Sequence, residues 1–192
     1  MASWCSIVLA SSALALSGCF LSGCAAHAGL PSYSSIPDFT LTDQTGAQFS
    51  SAAQLKGRVW IADFIFTNCT GPCPRMTSQM HRVQTELAGV DGVRLVSFTV
   101  DPARDTPPVL AEYAARFQAQ TGTWFFLTGQ QDALHQLSRN AFLLGDVDGN
   151  LQHSTRFVLV DRQSKIRGFY LTSEEDAIPR LIADTKKLAA KN

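Results

Sequence analysis

The sequence predicts a mixed α/β fold in which a central sheet is flanked by helices, and two observations carry this prediction. Near-continuous apolar runs of strand length occur at residues 58–66 and 93–100. Such runs are typical of strands that are buried on both faces of a sheet. These strands alternate with segments of helical spacing, and a hairpin and a closing helix follow them, which is the pattern of an α/β sheet.

The individual elements follow from local signals. Residues 38–46 alternate apolar and polar side chains and end in a turn, which predicts an added N-terminal hairpin. Thr106 before Pro107 is an N-cap signal for a helix over 106–117. The other expected elements are helices at 74–88, 130–142 and 174–189, and strands at 124–127, 155–160 and 165–171. Taken in order, they predict a thioredoxin-like fold with a central mixed sheet.

The charge composition argues against nucleic acid as a partner. The 192 residues include 16 Lys and Arg and 16 Asp and Glu, so the formal net charge is zero. The sequence has no basic stripe and no interleaving of aromatic residues with arginines. We therefore do not expect nucleic acid to be a partner.

The N-terminal residues 1–24 have the character of a secretory leader. No charged residue occurs between Cys5 and Cys24, and the composition is mostly Ala, Leu, Ser and Gly. Leu-Ser-Gly precedes both Cys19 and Cys24, and each of these segments resembles a bacterial lipobox, so either cysteine is a candidate for lipidation. The alternative is a retained transmembrane helix, because about 20 apolar residues can span a bilayer. Both alternatives anchor the domain to a membrane, facing the periplasm or the cell exterior.

The rest of the chain divides into two parts. Residues 25–36 contain Gly, Pro, Ser and Tyr and are expected to form a flexible tether. Residues 37–192 are expected to form one domain, because about 155 residues are enough to bury a core. No internal repeat interrupts this segment.

Only two of the five cysteines, Cys69 and Cys73, lie in the expected domain. They occupy the junction between a buried strand and a helix, where backbone N–H groups and the helix dipole favour a thiolate. Such sites lower the thiol pKa from about 8.5 to roughly 3.5–7.5. In an oxidising compartment a close pair of this kind is a disulfide, a redox couple or a metal site.

The spacing of the two cysteines favours a metal site. Thioredoxin-type oxidoreductases carry C-x-x-C, whereas Cys69 and Cys73 form C-x-x-x-C. The longer loop allows both sulfurs to converge on one point, and two thiolates suit Cu(I). An imidazole as third ligand completes a site that can also hold Cu(II). A purely structural disulfide would close a very short loop and would stabilise the fold little.

Three stretches resemble the Sco/SenC family. Phe66-Thr-Asn-Cys69-Thr-Gly-Pro-Cys73-Pro is similar to the family motif F-T-x-C-x-x-x-C-P. Residues 100–107 are similar to V-D-P-x-R-D-T-P, and residues 153–161 to the stretch that contains the copper-ligand histidine of the family. The resemblance covers nearly all of residues 37–190. It implies a thioredoxin-fold protein that binds one copper ion through Cys69, Cys73 and His153.

The resemblance also implies a function, with alternatives left open. Sco/SenC proteins help to assemble the dinuclear copper centre of cytochrome c oxidase subunit II, so a copper metallochaperone acting on the apo form of that subunit is expected. Other periplasmic copper chaperones or thiol reductants are further expected partners. One alternative is a thiol–disulfide reductase in which Cys69 and Cys73 are the redox-active pair, which leaves open whether the protein is an enzyme. Another is a copper or redox sensor.

A comparison with the wider superfamily favours the metal over disulfide exchange. Thioredoxin-like oxidoreductases place a proline opposite the cysteines, and alignment on the 157–161 strand puts Ser154 at about that position. No proline occurs between residues 109 and 178. This absence opens the site and puts the imidazole of His153 where a redox thioredoxin would hold its peptide substrate.

Other residues near the motifs have competing interpretations. Met76 and Met80 keep helical spacing and are expected in the core rather than as copper ligands. Asp101, Arg104 and Asp105 are candidates for a docking surface, but they can equally cap the helix and lock the loop.

Overall fold

The computed structural model describes Met1 and residues 29–144 and 155–190. Its strands are β1 Thr40–Asp43, β2 Gln48–Ser50, β3 Val59–Ile65, β4 Val93–Thr99, β5 Trp124–Thr128, β6 Arg156–Val160 and β7 Ile166–Leu171. Its helices are α1 Ser51–Gln54, α2 Cys73–Glu86, α3 Pro107–Arg116, α4 Gln131–Gln136 and α5 Ala177–Ala189, with a π-helical segment at Leu137–Ala141.

The strands form one mixed sheet in the order β2-β1-β5-β4-β3-β6-β7. The central strands β3, β4 and β5 are parallel, and α2 and α3 connect them, as a parallel arrangement requires. The outer strands pair antiparallel. The α/β fold class and the added N-terminal hairpin, β1–β2, are therefore confirmed.

The register places two chain segments at the same end of the sheet. β6 runs antiparallel to β3, with Trp60 opposite Val160 and Ala62 opposite Val158. The beginning of β6 therefore lies beside the end of β3, which leads into the cysteine motif. The topology thus brings Thr155 and Arg156 to the end of the sheet from which the chain enters the cysteine motif.

Each face of the sheet has its own core, and alternation along β3 separates them. We call one the cysteine face: Ile61 and Ile65 point into it, and it also contains Cys69, Cys73 and residues of α2, α3 and α5. We call the other the aromatic face, into which Trp60 and Phe64 point. Its remaining large rings are those of Phe39, Phe49, Phe98, Phe125, Phe142 and Phe169.

The helix expected at 130–142 changes its geometry halfway. After α4 the chain continues as a π-helical segment, in which the N–H of Phe142 donates to the carbonyl of Leu137 at 2.9 Å. The wider turn lets Leu137, Ala141 and Phe142 all bury on the aromatic face. Tertiary packing therefore outweighs the regular helical repeat that the sequence predicts.

The packed backbone begins upstream of Pro37, within the segment expected to be a tether. Tyr33 N–H donates to the carbonyl of Ile166 at 2.9 Å, and Ile36 N–H donates to that of Ser164 at 2.8 Å. Arg167 donates to the carbonyls of Leu30 and Pro31. These contacts hold residues 30–36 against the β6–β7 hairpin. Among the described residues, no helix combines the length and the apolar character needed to cross a membrane.

Candidate metal centre

Cys69 and Cys73 lie at the point where the fully buried strand β3 leads into α2. Every side chain of β3 is buried, and the chain turns after it through a hydrogen bond from Cys69 N–H to the carbonyl of Phe66 at 3.3 Å. The N–H of Gly71 points to Cys69 Sγ at 3.4 Å. α2 then begins at Cys73. Both thiols are reduced and buried, with 8% and 1% of the residue exposed.

The two thiols are close enough to interact directly. Burial is the main cause that raises the pKa of Cys73 to about 12, and a hydrogen bond with the side chain of Cys69 raises it further. A backbone hydrogen bond from Phe66 acts in the opposite direction. The expected lowering of the thiol pKa by the helix N-terminus is therefore wrong for Cys73, because desolvation outweighs the backbone dipoles at this depth.

The donor set fits a soft metal ion. Two adjacent sulfurs in an apolar setting are the ligands that Cu(I) prefers over harder ions. Within residues 29–144 and 155–190, no group of three or more His, Cys, Asp or Glu side chains could hold a metal ion. The predicted third ligand, His153, lies outside the described residues, as do Ser154, Cys19 and Cys24.

A buried carboxylate lies on the same face, and the sequence analysis did not single it out. Asp63 of β3 is fully buried, and no group in the described part of the chain forms a hydrogen bond with either of its carboxylate oxygens. Burial raises its pKa to about 7; the nearby Ser97 hydroxyl on β4 acts in the opposite direction, although it lies outside normal hydrogen-bond geometry. The detectable signal was a single charge inside an otherwise apolar strand.

The first turns of α2 pack the cysteine motif onto the core. Met76 and Met80 are buried on the cysteine face, so the prediction that they belong to the core is confirmed. Thr77 Oγ1 donates to the carbonyl of Cys73 at 2.9 Å and lies 3.0 Å from the hydroxyl of Tyr113. This buried pair of hydroxyls ties the start of α2 to α3.

The loop between β4 and α3 resolves the competing interpretations of its charged residues. Asp101 and Arg104 form an ion pair at 3.5 Å, with the Arg104 side chain 71% exposed. Asp105 is 1% exposed, and its carboxylate accepts hydrogen bonds from Thr67 and Thr99. Asp105 therefore locks the loop and is not part of an exposed docking surface.

Comparison with known proteins gives one consistent family. A family model described as SCO1/SenC matches residues 29–190. This segment contains both cysteines, the 100–107 loop and His153.

Three solved structures illustrate the similarity. A SCO1/SenC family lipoprotein from Bacillus anthracis is 34% identical with a TM-score of 0.73, covering 81% of this chain and 95% of that one. BsSco, a Sco-family cytochrome c oxidase assembly protein with a disulfide switch, is 33% identical with a TM-score of 0.74, covering 85% and 97%. Yeast Sco1 with copper bound is 25% identical with a TM-score of 0.63, covering 80% and 94%.

Proposed function

Because this chain belongs to the SCO1/SenC family, we propose that it binds one copper ion through Cys69, Cys73 and His153. Members of the family are copper-binding proteins involved in cytochrome oxidase assembly. We propose specifically a metallochaperone that delivers copper to the apo form of cytochrome c oxidase subunit II, for its dinuclear copper centre. The copper-bound structure of yeast Sco1 supports the choice of metal.

The observation that carries the proposal is the buried, reduced and mutually interacting pair of thiols. Two neighbouring sulfurs in an apolar setting are suited to a soft ion, since desolvation strengthens the attraction between a cation and thiolate ligands. Copper binding must then displace the thiol protons, which makes the affinity dependent on pH.

Chain connectivity makes His153 a suitable third ligand. β6 begins at Arg156, at the end of the sheet where β3 ends. His153 is three residues upstream in the sequence, so the two Cα atoms are at most about 11 Å apart. This connectivity supports the choice of His153 as the third ligand.

Metal analysis of the reduced full-length chain tests the ligand set. We expect one copper ion per chain and a thiolate-to-copper charge-transfer band for the unchanged protein. The band should disappear in Cys69→Ala and Cys73→Ala, and Cu(II) affinity should fall strongly in His153→Ala. His135→Ala, a change in α4, is the matched control for the loss of an imidazole.

Two outcomes would contradict the proposal. Undiminished copper affinity of His153→Ala, equal to that of His135→Ala, would remove His153 from the site. Failure of the unchanged protein to bind copper would remove the metallochaperone function altogether. Delivery is tested separately by mixing the copper-loaded chain with the apo copper domain of subunit II, where retention of copper on the chain would refute transfer.

A second function is favoured by the contact between the two thiols, namely reduction of the copper-ligand cysteines of the oxidase. A pair already within hydrogen-bonding distance can form a disulfide with little movement. A redox titration of the metal-free chain tests this function. A disulfide that resists reduction by physiological dithiols would exclude the reductase, because such a pair must cycle.

We further propose that lipidation of Cys24 or Cys19 anchors the domain to the membrane, outside the cytoplasm. The two Leu-Ser-Gly-Cys sequences and the similarity to a family lipoprotein from Bacillus anthracis support this proposal. In this scheme residues 1–24 are the leader or anchor, residues 25–36 the connection and residues 37–192 the copper domain. Mass spectrometry of the chain purified from membranes identifies the modified cysteine, and an unmodified N-terminus would refute lipidation.

A further inference from the structure

The carboxylate of Asp105 joins the two loops that border the cysteine pair. Thr67 N–H donates to Oδ2 at 3.1 Å, and the hydroxyl of Thr67 donates to Oδ1 at 2.5 Å. On the other side, the hydroxyl of Thr99, the last residue of β4, donates to Oδ2 at 2.5 Å. A buried carboxylate is thus surrounded by donors from β4 and from the segment that follows β3.

The residue that Asp105 holds lies inside the turn that positions both cysteines. Thr67 follows Phe66, whose carbonyl accepts the N–H of Cys69 and whose backbone also forms a hydrogen bond with Cys73. The carbonyl of Phe66 therefore contacts the backbone N–H of Cys69, and the backbone of Phe66 also contacts the thiol of Cys73. A clamp on Thr67 sets the position of this backbone relative to the sheet.

The loop containing Asp105 is itself fixed, so it can act as a support. Val100 N–H donates to the carbonyl of Ile65 at 2.9 Å, and Asp105 N–H donates to that of Asp101 at 2.9 Å. The first of these bonds extends the pairing of β3 and β4 beyond the strands. The Asp105 carboxylate does not cap α3, because its hydrogen bonds go to Thr67 and Thr99. The N-cap residue Thr106 also forms no side-chain capping bond among the described residues.

We propose that Asp105 is a positioning residue for the cysteine pair: through Thr67 it fixes the separation and direction of the Cys69 and Cys73 thiols. This inference rests on the proposed function, because its consequence is a pair of sulfurs arranged in advance for one ion. Groups that orient metal ligands in this way typically contribute tenfold or more to metal affinity. Release of Thr67 would let the turn at Phe66 relax, so that each binding event would have to order it again.

The test compares Asp105→Asn with Asp161→Asn in the full-length chain. Asp161 is also a buried carboxylate that locks a loop, accepting N–H groups of Gln163 and Lys165 and an ion pair from Arg167. It lies at the β6–β7 turn, at the end of the sheet away from the cysteines. Both variants lose a buried charge, but only one of them touches the cysteine loop.

We expect Asp105→Asn to weaken copper binding by about tenfold or more and to shift and broaden the thiolate-to-copper band. Asp161→Asn should lower the melting temperature while it keeps the affinity and the band of the unchanged chain. Thr67→Val retains the N–H but loses the hydroxyl, so it should show a smaller loss of copper affinity and a smaller shift of the band. Thr67→Ser restores the hydroxyl and should restore the band. If Asp105→Asn does not fold, the Thr67 pair of variants tests the inference alone.

A second measurement needs no metal. In the copper-free chain, loss of the clamp should make the Cys69–Cys73 disulfide easier to reduce by about tenfold in the equilibrium constant, about 30 mV for this two-electron couple, because the thiols are less well arranged. Unchanged potential and unchanged copper affinity in Asp105→Asn and Thr67→Val would overturn the inference. Equal copper defects in Asp105→Asn and Asp161→Asn would also overturn it. Failure of the unchanged chain to bind copper refutes the proposed function, whereas the potential measurement still tests the clamp.

Discussion

The two faces of the sheet use opposite chemistry although they share the same strands. On the aromatic face, rings pack against one another, with Phe64 stacked on Phe98 at 5.0 Å and Phe142 edge-on to both. On the cysteine face, the same strands β3 and β4 contribute Asp63, Ser97 and Thr99, all buried. Both faces bury a large apolar core, but the buried polar side chains of β3 and β4 all lie on the cysteine face.

This difference separates stability from function within one small domain. Burial of large aromatic rings is strongly stabilising, and aromatic pairs add to it. Buried polar groups lower stability unless each is satisfied, and within the described residues Asp63 has no hydrogen-bond partner. We infer that the aromatic face supplies the stability that allows the cysteine face to hold reduced thiols and a carboxylate in an apolar interior. Variants on each face test this division of roles.

The largest effect is expected on the aromatic face. Phe142 is fully buried and contacts the rings of Trp60, Phe64 and Phe98. Phe142→Ala should lower the free energy of unfolding by about 3–5 kcal/mol, because it leaves a cavity among rings that cannot collapse. Urea denaturation measures this loss. A loss below about 1 kcal/mol would show that the aromatic face does not dominate stability.

The next effect concerns the unpaired carboxylate of the cysteine face. The pKa of Asp63 rises from 3.8 to about 7 on folding, so the folded chain favours the protonated form. Its contribution to stability is therefore full below about pH 4 and is lost as the pH rises to about 7, with a total of up to about 4 kcal/mol. Asp63→Asn should remove this dependence in the copper-free chain and should be the more stable protein at pH 8. An identical pH profile for both proteins, measured by urea denaturation, would contradict this assignment.

Asp63 and Cys73 show which features of the fold could be predicted from the sequence and which could not. The order of strands and helices followed from apolar periodicity, because burial on one or both faces leaves a local pattern. Asp63 interrupts such a pattern, yet the sequence does not reveal whether a partner meets its side chain. The predicted lowering of the Cys73 pKa was wrong for the same reason. The helix N-terminus can be read from the local sequence, whereas the depth of burial depends on the packing of α3 and α5 over the thiol.

In the candidate site, too, local features could be predicted and long-range contacts could not. The convergence of Cys69 and Cys73 followed from their spacing at a strand–helix junction, and the structure brings the two thiols together. Asp105 was left between two interpretations, because a charged residue in a loop gives no sign of whether it faces solvent or the sheet. Its contact with Thr67 spans 38 residues and becomes visible only when β3 and β4 pair.

A smaller effect compares two threonines on α2. The hydroxyls of Thr77 and Thr85 each donate to a carbonyl four residues earlier, but Thr77 is buried beside the Tyr113 hydroxyl, whereas the Thr85 bond is exposed. Thr77→Val should lower the free energy of unfolding by about 1–2 kcal/mol, because it leaves a buried hydroxyl without its partner. Thr85→Val should change it by less than about 0.5 kcal/mol. Equal losses in thermal or urea unfolding would mean that the polar contacts of the cysteine face carry no special weight.

The smallest and sharpest comparison uses one tryptophan from each face. Trp124 donates from Nε1 to Ser97 Oγ at 3.0 Å on the cysteine face, whereas no group in the described part of the chain accepts a hydrogen bond from Nε1 of Trp60 on the aromatic face. Trp→Phe removes the same volume from each site. Trp124→Phe should therefore destabilise the chain by about 1 kcal/mol more than Trp60→Phe, the net value of one buried hydrogen bond. If Trp60→Phe lowers the free energy of unfolding by as much or more, packing outweighs hydrogen bonding on both faces. The two faces would then differ in composition but not in the interactions that stabilise them.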